Sequence, residues 1–313
     1  MNLIIELSAV VVTVRDNEAL VLCLNLPDGE ETFALPSGPF VPQNHRTFDL
    51  ALRAFVREQT GFDIGYVEQL YSFGDDGRQG IAATAPDDGR VVSIGYLALT
   101  PEADFQARFD AKWVPFHRFF PWEDWRKGDI NPNIEALRST LSRWGAKAET
   151  ASERALRTRR VTTLFPEDFA HWNEERVLER YELLYGARLT GEACREYGLT
   201  ATYSANGDPM ASDHRRILAT GLSRLRGKLK YRPIIFELMP AQFTLLELQK
   251  SLEALTGLRL HKQNFRRGLE RTGFVRPLGL MRDDTGGRPA ELYSYDDGQF
   301  RFGPSLGLSL PRA

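Results

Sequence analysis

The stretch FTLLELQKSLEALTGLRLHKQNFRRGLERTG, residues 243–273, decides how the chain is read. Thr244 and Glu247 stand at the capping-box spacing, where hydroxyl and carboxylate satisfy two orphan backbone N–H groups, so a helix starts there. Leu245, Leu248, Leu252 and Leu255 recur on one face of it, and Gly257 provides the stop. The turn Leu258-Arg259-Leu260 then leads into a second helix beginning near His261. At about 100° per residue, Phe265 and Leu269 fall about 40° apart and face inward, while Gln263 and Arg267 fall on the opposite side. Lys262, Asn264, Arg266 and Arg271 surround that outer face. A helix entering the major groove needs such residues, because Arg bonds guanine in bidentate fashion and Asn or Gln does the same to adenine. A merely solvated basic helix would carry the same charges, so the following residues decide between the two.

Those residues form a hairpin pattern. Phe274–Leu280 and Ala290–Tyr295 are expected to pair as strands around residues 281–289, whose Gly286-Gly287 pair supplies permissive turn geometry. Helix, turn, helix and two-stranded wing in that order predict a winged helix-turn-helix, with Arg282 and Arg288 placed to meet phosphate or the minor groove. Charge agrees. Residues 214–313 hold 18 Lys and Arg against 9 Asp and Glu, or +9; the totals of 40 and 42 leave 22 against 33, or −11, for residues 1–213. A basic end on an acidic chain points to nucleic acid as partner.

Upstream, Ser212-Asp213 can cap a helix with Leu218, Leu222, Leu225 and Leu229 at spacings 4, 3, 4, flanked by Arg224, Arg226, Lys228 and Lys230. Its seam is expected to be buried, either on the chain's own domain or in a dimer contact, and Lys228 is a candidate phosphate contact. Residues 146–212 read as mostly helical, with Val177, Tyr181, Leu184 and Tyr185 as one apolar stripe; a linker and padding of the first domain both remain open.

The first ~145 residues alternate β-like runs with turn clusters, an α/β pattern. Strands are expected at Leu3–Val14, Ala19–Leu24, Val91–Leu99 and Lys112–Pro115, and a helix over Phe48–Thr60 closed by Gly61; Asn131–Trp144 reads as a closing helix. Three units follow: 1–145, 146–212 and 213–313.

Residues 35–62 resemble the Nudix box, G-x(5)-E-x(7)-R-E-U-x-E-E-x-G-U with U apolar. Aligned from its end, Gly61, Phe62, Val56 and Glu58 match. Ala54 replaces the Arg, Phe55 the next Glu and Gln59 the second of the paired Glu residues; Gly38 lies two positions too far upstream, and Arg46 stands where the earlier Glu belongs. Divalent-cation hydrolysis needs several carboxylates on one face, and a lone Glu58 cannot supply them. Loss of catalysis is therefore expected.

Asp213-His214, LSRLRGKL at 222–229, FELMP at 236–240, Phe243-Thr244-Leu245, NFRR at 264–267 and GRPA at 287–290 strongly resemble the Nudix-related transcriptional regulators, the NrtR-like family. The resemblance is close over 213–295, loose but ordered over 1–145 and suggestive for 170–190. Longer members with a worn box look like the NadQ-type repressors of NAD synthesis. The resemblance implies a Nudix-like α/β/α sandwich before a winged helix, a homodimer on a palindromic operator, repression of NAD-pathway genes, and an effector such as NAD, ATP or ADP-ribose with no required cofactor or metal.

A nucleotide needs cations for phosphate and a flat face for its base, which makes Arg46, Arg53, Phe73 and Tyr96 the candidate ligand contacts. His117, among Phe116, Phe119 and Phe120, reads as a buried histidine. Composition excludes other classes: 42% hydrophobic and 26% charged is ordinary for a globular chain, and Cys23 and Cys194 form neither a disulfide framework nor a zinc spacing. The N-terminus has no basic region before its apolar run and no spanning segment appears, so a reducing, cytoplasmic setting is expected. Two rivals remain: a Nudix pyrophosphatase with a nucleic-acid-binding tail, and a regulator of the same build sensing a sugar.

Overall fold

The computed structural model describes residues 3–26, 32–75, 90–101, 111–128, 131–200, 206–283, 289–296 and 298. Its first half is a sheet of β1 (Leu3–Arg15), β2 (Glu18–Leu26), β3 (Thr32–Ala34), β4 (Ser37–Pro39), β5 (Tyr66–Phe73), β6 (Arg90–Leu99) and β7 (Ala111–Pro115). The order is β3-β2-β1-β6-β5, with β4 also pairing β1 and β7 pairing β2. β1 is buried from Glu6 to Thr13, as expected of a central apolar strand covered on both faces. It runs parallel to β6, and returns antiparallel to β2 through Asp16 and Asn17, both with positive φ.

Helix α1 (Phe48–Thr60) starts where the Thr47 hydroxyl accepts from Leu50 N and stops at Gly61, φ 74°. It buries Ala51, Leu52 and Val56 against Leu7, Ala9, Val11, Ile94 and Tyr96 on one sheet face. The other face is covered by α6 (His214–Leu229), where a Cβ on Gly221 would come within 3.0 Å of Val10 and one on Gly95 within 3.1 Å of Ile217.

The helix read as the start of the DNA-binding end is thus also the second outer layer of the sandwich. The expected closing helix, α2 (Pro132–Ala146), packs instead on α3 (Ala151–Leu164). Helical periodicity reveals an apolar face without revealing which surface it covers. Leu218, Leu222, Leu225 and Leu229 are 0–1% exposed within the single chain, so the α6 seam docks on its own chain.

Between them, α4 (Val177–Gly186) packs along α6, followed by α5 (Gly191–Glu196). Trp122, Phe165, Trp172 and Tyr181 fill the joint, so α3 and α4 brace α6 from outside. The C-terminal unit holds β8 (Phe243–Thr244), α7 (Leu245–Thr256), α8 (Lys262–Thr272), β9 (Val275–Arg282) and β10 (Ala290–Tyr295), in a sheet ordered β8-β10-β9. The capping box forms as read: Thr244 Oγ1 accepts from Glu247 N at 3.2 Å, and Thr244 N donates to Glu247 Oε2 at 2.7 Å. Cys23 and Cys194 are buried and not joined in a disulfide, and no helix among the described residues is long and apolar enough to cross a membrane.

Arg126 pins the segment after β7 to the β1–β2 hairpin through Asp124 (2.8 Å), Glu18 (3.0 Å) and Asn17 O (2.6 Å). Burial pushes the Asp124 carboxyl up, but hydrogen bonds from Arg126 outweigh it and bring the pKa to about 2 from 3.8. A depressed folded pKa stabilises above the unfolded value and that stability is lost as pH falls through the folded one. Between pH 3.8 and about 2, urea midpoints of the wild type are expected to fall more steeply than those of Asp124→Asn; parallel curves would contradict this.

Candidate nucleic-acid interface and sensor domain

α8 presents its charged face because two apolar side chains anchor the other. Phe265 and Leu269 are each 1% exposed, while Lys262, Gln263, Asn264, Arg266, Arg267 and Arg271 are all exposed. None of these four Arg and Lys groups forms a salt bridge among the described residues, so their donors stay available. Arg259 and Arg276 are exposed beside the helix and were passed over in the sequence, where a single Arg in a turn or at a strand start carries no pattern. Arg282 ties wing to reader through Nη1 to Glu247 Oε1 at 2.5 Å, and Arg288 lies outside the described residues.

Lys228 does not stand where its sequence neighbours suggest. It is 9% exposed and its ammonium is held by Glu68 and the Tyr66 hydroxyl, facing the sandwich instead of solvent. The basic run around it suggested phosphate, but the sheet supplies an acidic partner that sequence neighbours could not reveal.

The box helix has put side chains to structural use where catalytic carboxylates would stand. Gln59 donates to Ser37 O at 2.6 Å and accepts from Ser37 N at 3.0 Å, satisfying both backbone polar groups of Ser37 in β4. The Phe55 ring covers Gly38, where a Cβ would come within 2.7 Å of it, and meets His45 at 5.2 Å; Phe40 and Phe48 extend the cluster. Glu58 is exposed, and among the described residues no three His, Cys, Asp or Glu are grouped to hold a metal. These residues do not fit a carboxylate cation cage of the kind the Nudix box supplies. Gln59→Glu removes a donor and sets a charge against the Ser37 carbonyl, so it is expected to destabilise the chain by about 1–3 kcal/mol without creating hydrolysis. Unchanged denaturation midpoints, or the appearance of turnover, would contradict that.

The four candidate ligand contacts do not converge. Phe73 packs on the α6 side of the sheet and Tyr96 on the α1 side, because their register sets opposite parity on β6. Arg53 is held by Asp49 at 2.8 Å and Ile64 O at 2.5 Å, and Arg46 is exposed in the loop before α1. His117 lies 3.9 Å from Glu18 with its side chain 11% exposed, and burial pushes its pKa down.

Glu123 is the element the sequence concealed. Fully buried, its carboxylate accepts from Arg180 at 2.6 and 3.0 Å and from Arg226 at 2.5 Å. Burial pushes its pKa up, but the two guanidiniums outweigh that and hold it below the usual range. Arg226 also donates to Leu255 O at the end of α7 and to Glu174 O. Gly257, φ 70°, lies so close that a Cβ would overlap Glu123 O, and Trp125 N donates to Gly257 O at 2.7 Å. One buried ionic joint thus fastens sandwich, brace, α6 and reader together.

The architecture is an α/β/α sandwich continued through α6 into a helix-turn-helix with a three-stranded sheet. Residues 235–295 match the NrtR DNA-binding winged helix domain family. The chain has the fold of NrtR from Shewanella oneidensis solved with a 27mer DNA, at TM-score 0.56, 19% identity and coverage of 97% of this chain and 99% of that one. A MutT/nudix family protein from Enterococcus faecalis matches at TM-score 0.52 and 16% identity, covering 95% and 87%. By sequence, the ADPR responsive transcriptional repressor NtrR of Acinetobacter baylyi is 35% identical over 103 residues, which are 33% of this chain and 41% of that relative. The match thus spans about two fifths of the relative's length.

Proposed function

We propose that the chain is a ligand-responsive, DNA-binding transcriptional repressor whose sandwich recognises an adenine nucleotide or dinucleotide without cleaving it. The observation that carries this reading is α8: six exposed polar or basic side chains mounted over buried Phe265 and Leu269, within an NrtR-type winged helix. The name of the Acinetobacter relative makes ADP-ribose the first effector to consider, ahead of NAD and ATP. Genes of NAD synthesis are the proposed targets, with a cytoplasmic homodimer reading a palindrome whose half-sites lie about 34 Å apart or a multiple of that. Gln59, Phe55 and the isolated Glu58 support binding without turnover. Through the Glu123 joint, a ligand preferring one arrangement of sensor and reader shifts DNA affinity by the coupling energy, about 1–3 kcal/mol.

Selection of duplexes from a random pool tests the DNA half of this. The expected result is enrichment of an inverted repeat, bound with a steeply negative slope of log affinity on log salt. Sequence-indifferent or salt-insensitive binding would overturn it.

A further inference from the structure

On the side of the sheet away from α1, a cleft of about 580 Å³ opens between edge strand β5, α6 and the start of α4. That volume lies within the range of about 300–1,000 Å³ usual for small-molecule sites. Tyr71 and Tyr231 line it at 63% and 50% exposed, offering two flat faces to solvent. Two guanidiniums are held beside them. Arg216 lies over the Phe73 ring at 5.7 Å and spends Nε and Nη1 on Glu182 and Asp75, while Nη2 makes no hydrogen bond among the described residues; Arg224 reaches Glu68 through Nη1 at 3.5 Å. Ser223 accepts from Leu178 N at 2.9 Å and keeps its own proton to donate.

We infer that this cleft is the effector site and takes a nucleoside diphosphate derivative, its base against Tyr71 and Tyr231 and its diphosphate at Arg216 and Arg224. The inference rests on the nucleotide-sensing reading above. Aromatic faces suit a base and Arg forks suit phosphate oxygens. Glu175 on the wall is an acceptor for ribose hydroxyls, while the carboxylates backing both arginines disfavour the extra charge of a triphosphate. On the box face, among the described residues, Phe55 covers Gly38 and Gln59 bonds Ser37. Position also supplies the coupling. Glu175 adjoins Glu174, whose carbonyl accepts from Arg226, and Arg226 in turn holds Leu255 O of the reader.

Isothermal titration of the full chain with ADP-ribose and with ATP tests this. Wild type is expected to bind ADP-ribose more tightly than ATP. Tyr71→Ala and Arg224→Ala are each expected to weaken ADP-ribose binding by about tenfold or more, Tyr71→Phe to retain it, and Arg46→Ala at the box to leave it unchanged. Thermal unfolding of each variant confirms an intact fold, which the exposure of Tyr71 and Arg224 favours. Undiminished affinity in both cleft variants would overturn the assignment while leaving nucleotide sensing in place. A wild type that binds neither nucleotide would remove the sensing reading first and the cleft with it.

Discussion

Glu123→Gln is expected to lower the stability of the folded chain by about 3–5 kcal/mol, the scale for breaking a buried ion pair from one side. The reason is geometric: Arg180 and Arg226 are 1% and 0% exposed, and without the carboxylate their charges stay in the interior unpaired. Glutamine keeps the volume, so the loss reports charge and not a cavity. Because Arg226 also holds the end of α7, the damage is expected to concentrate at the seat of the reader. Hydrogen exchange in Leu252–Gly257 is expected to speed up along with a drop in the urea midpoint. A variant as stable as wild type would mean that the joint contributes nothing beyond packing.

Arg267→Ala is expected to cost specific operator binding about 1–3 kcal/mol, the scale of one bidentate base contact, and to relax sequence preference at one position. Its side chain stands opposite the buried Phe265–Leu269 anchor, so removing it leaves the fold intact. Lys228→Ala supplies the contrast: held at Glu68 and Tyr66, it is expected to leave DNA affinity and the salt slope unchanged while lowering stability. An Arg267→Ala protein with wild-type affinity for every duplex would remove α8 from the groove.

Local chemistry made some elements legible in the sequence. Thr244 with Glu247, Gly61 and Gly257 are self-contained signals, and the α8 face needs only its own periodicity. β5 went unread because YVEQLYSF lacks strict alternation and belongs to an edge strand with a register shift between Gln69 and Ser72. That Phe73 and Tyr96 take opposite faces was hidden for a related reason, since which face a strand residue takes depends on a register set by distant residues. Glu123 and Lys228 show the sharper limit. Nothing in the run Pro121-Trp122-Glu123-Asp124 marks a fully buried carboxylate, because its partners lie 57 and 103 positions away. The α6 helix was recognised by its leucines, but its partner, the sheet, was a matter of topology. At the box-like segment the replaced carboxylates could be read from the sequence, whereas the contacts of Gln59 with Ser37 and of Phe55 with Gly38 could not.

The most direct measurement is fluorescence anisotropy of the selected duplex titrated with the full chain, with and without ADP-ribose, followed by chromatography of the nucleotide from the same cuvette. Two isotherms separated by about 5–150-fold in affinity are expected, with ADP-ribose recovered whole. Superimposable isotherms, or nucleotide cleaved over many turnovers, would contradict it.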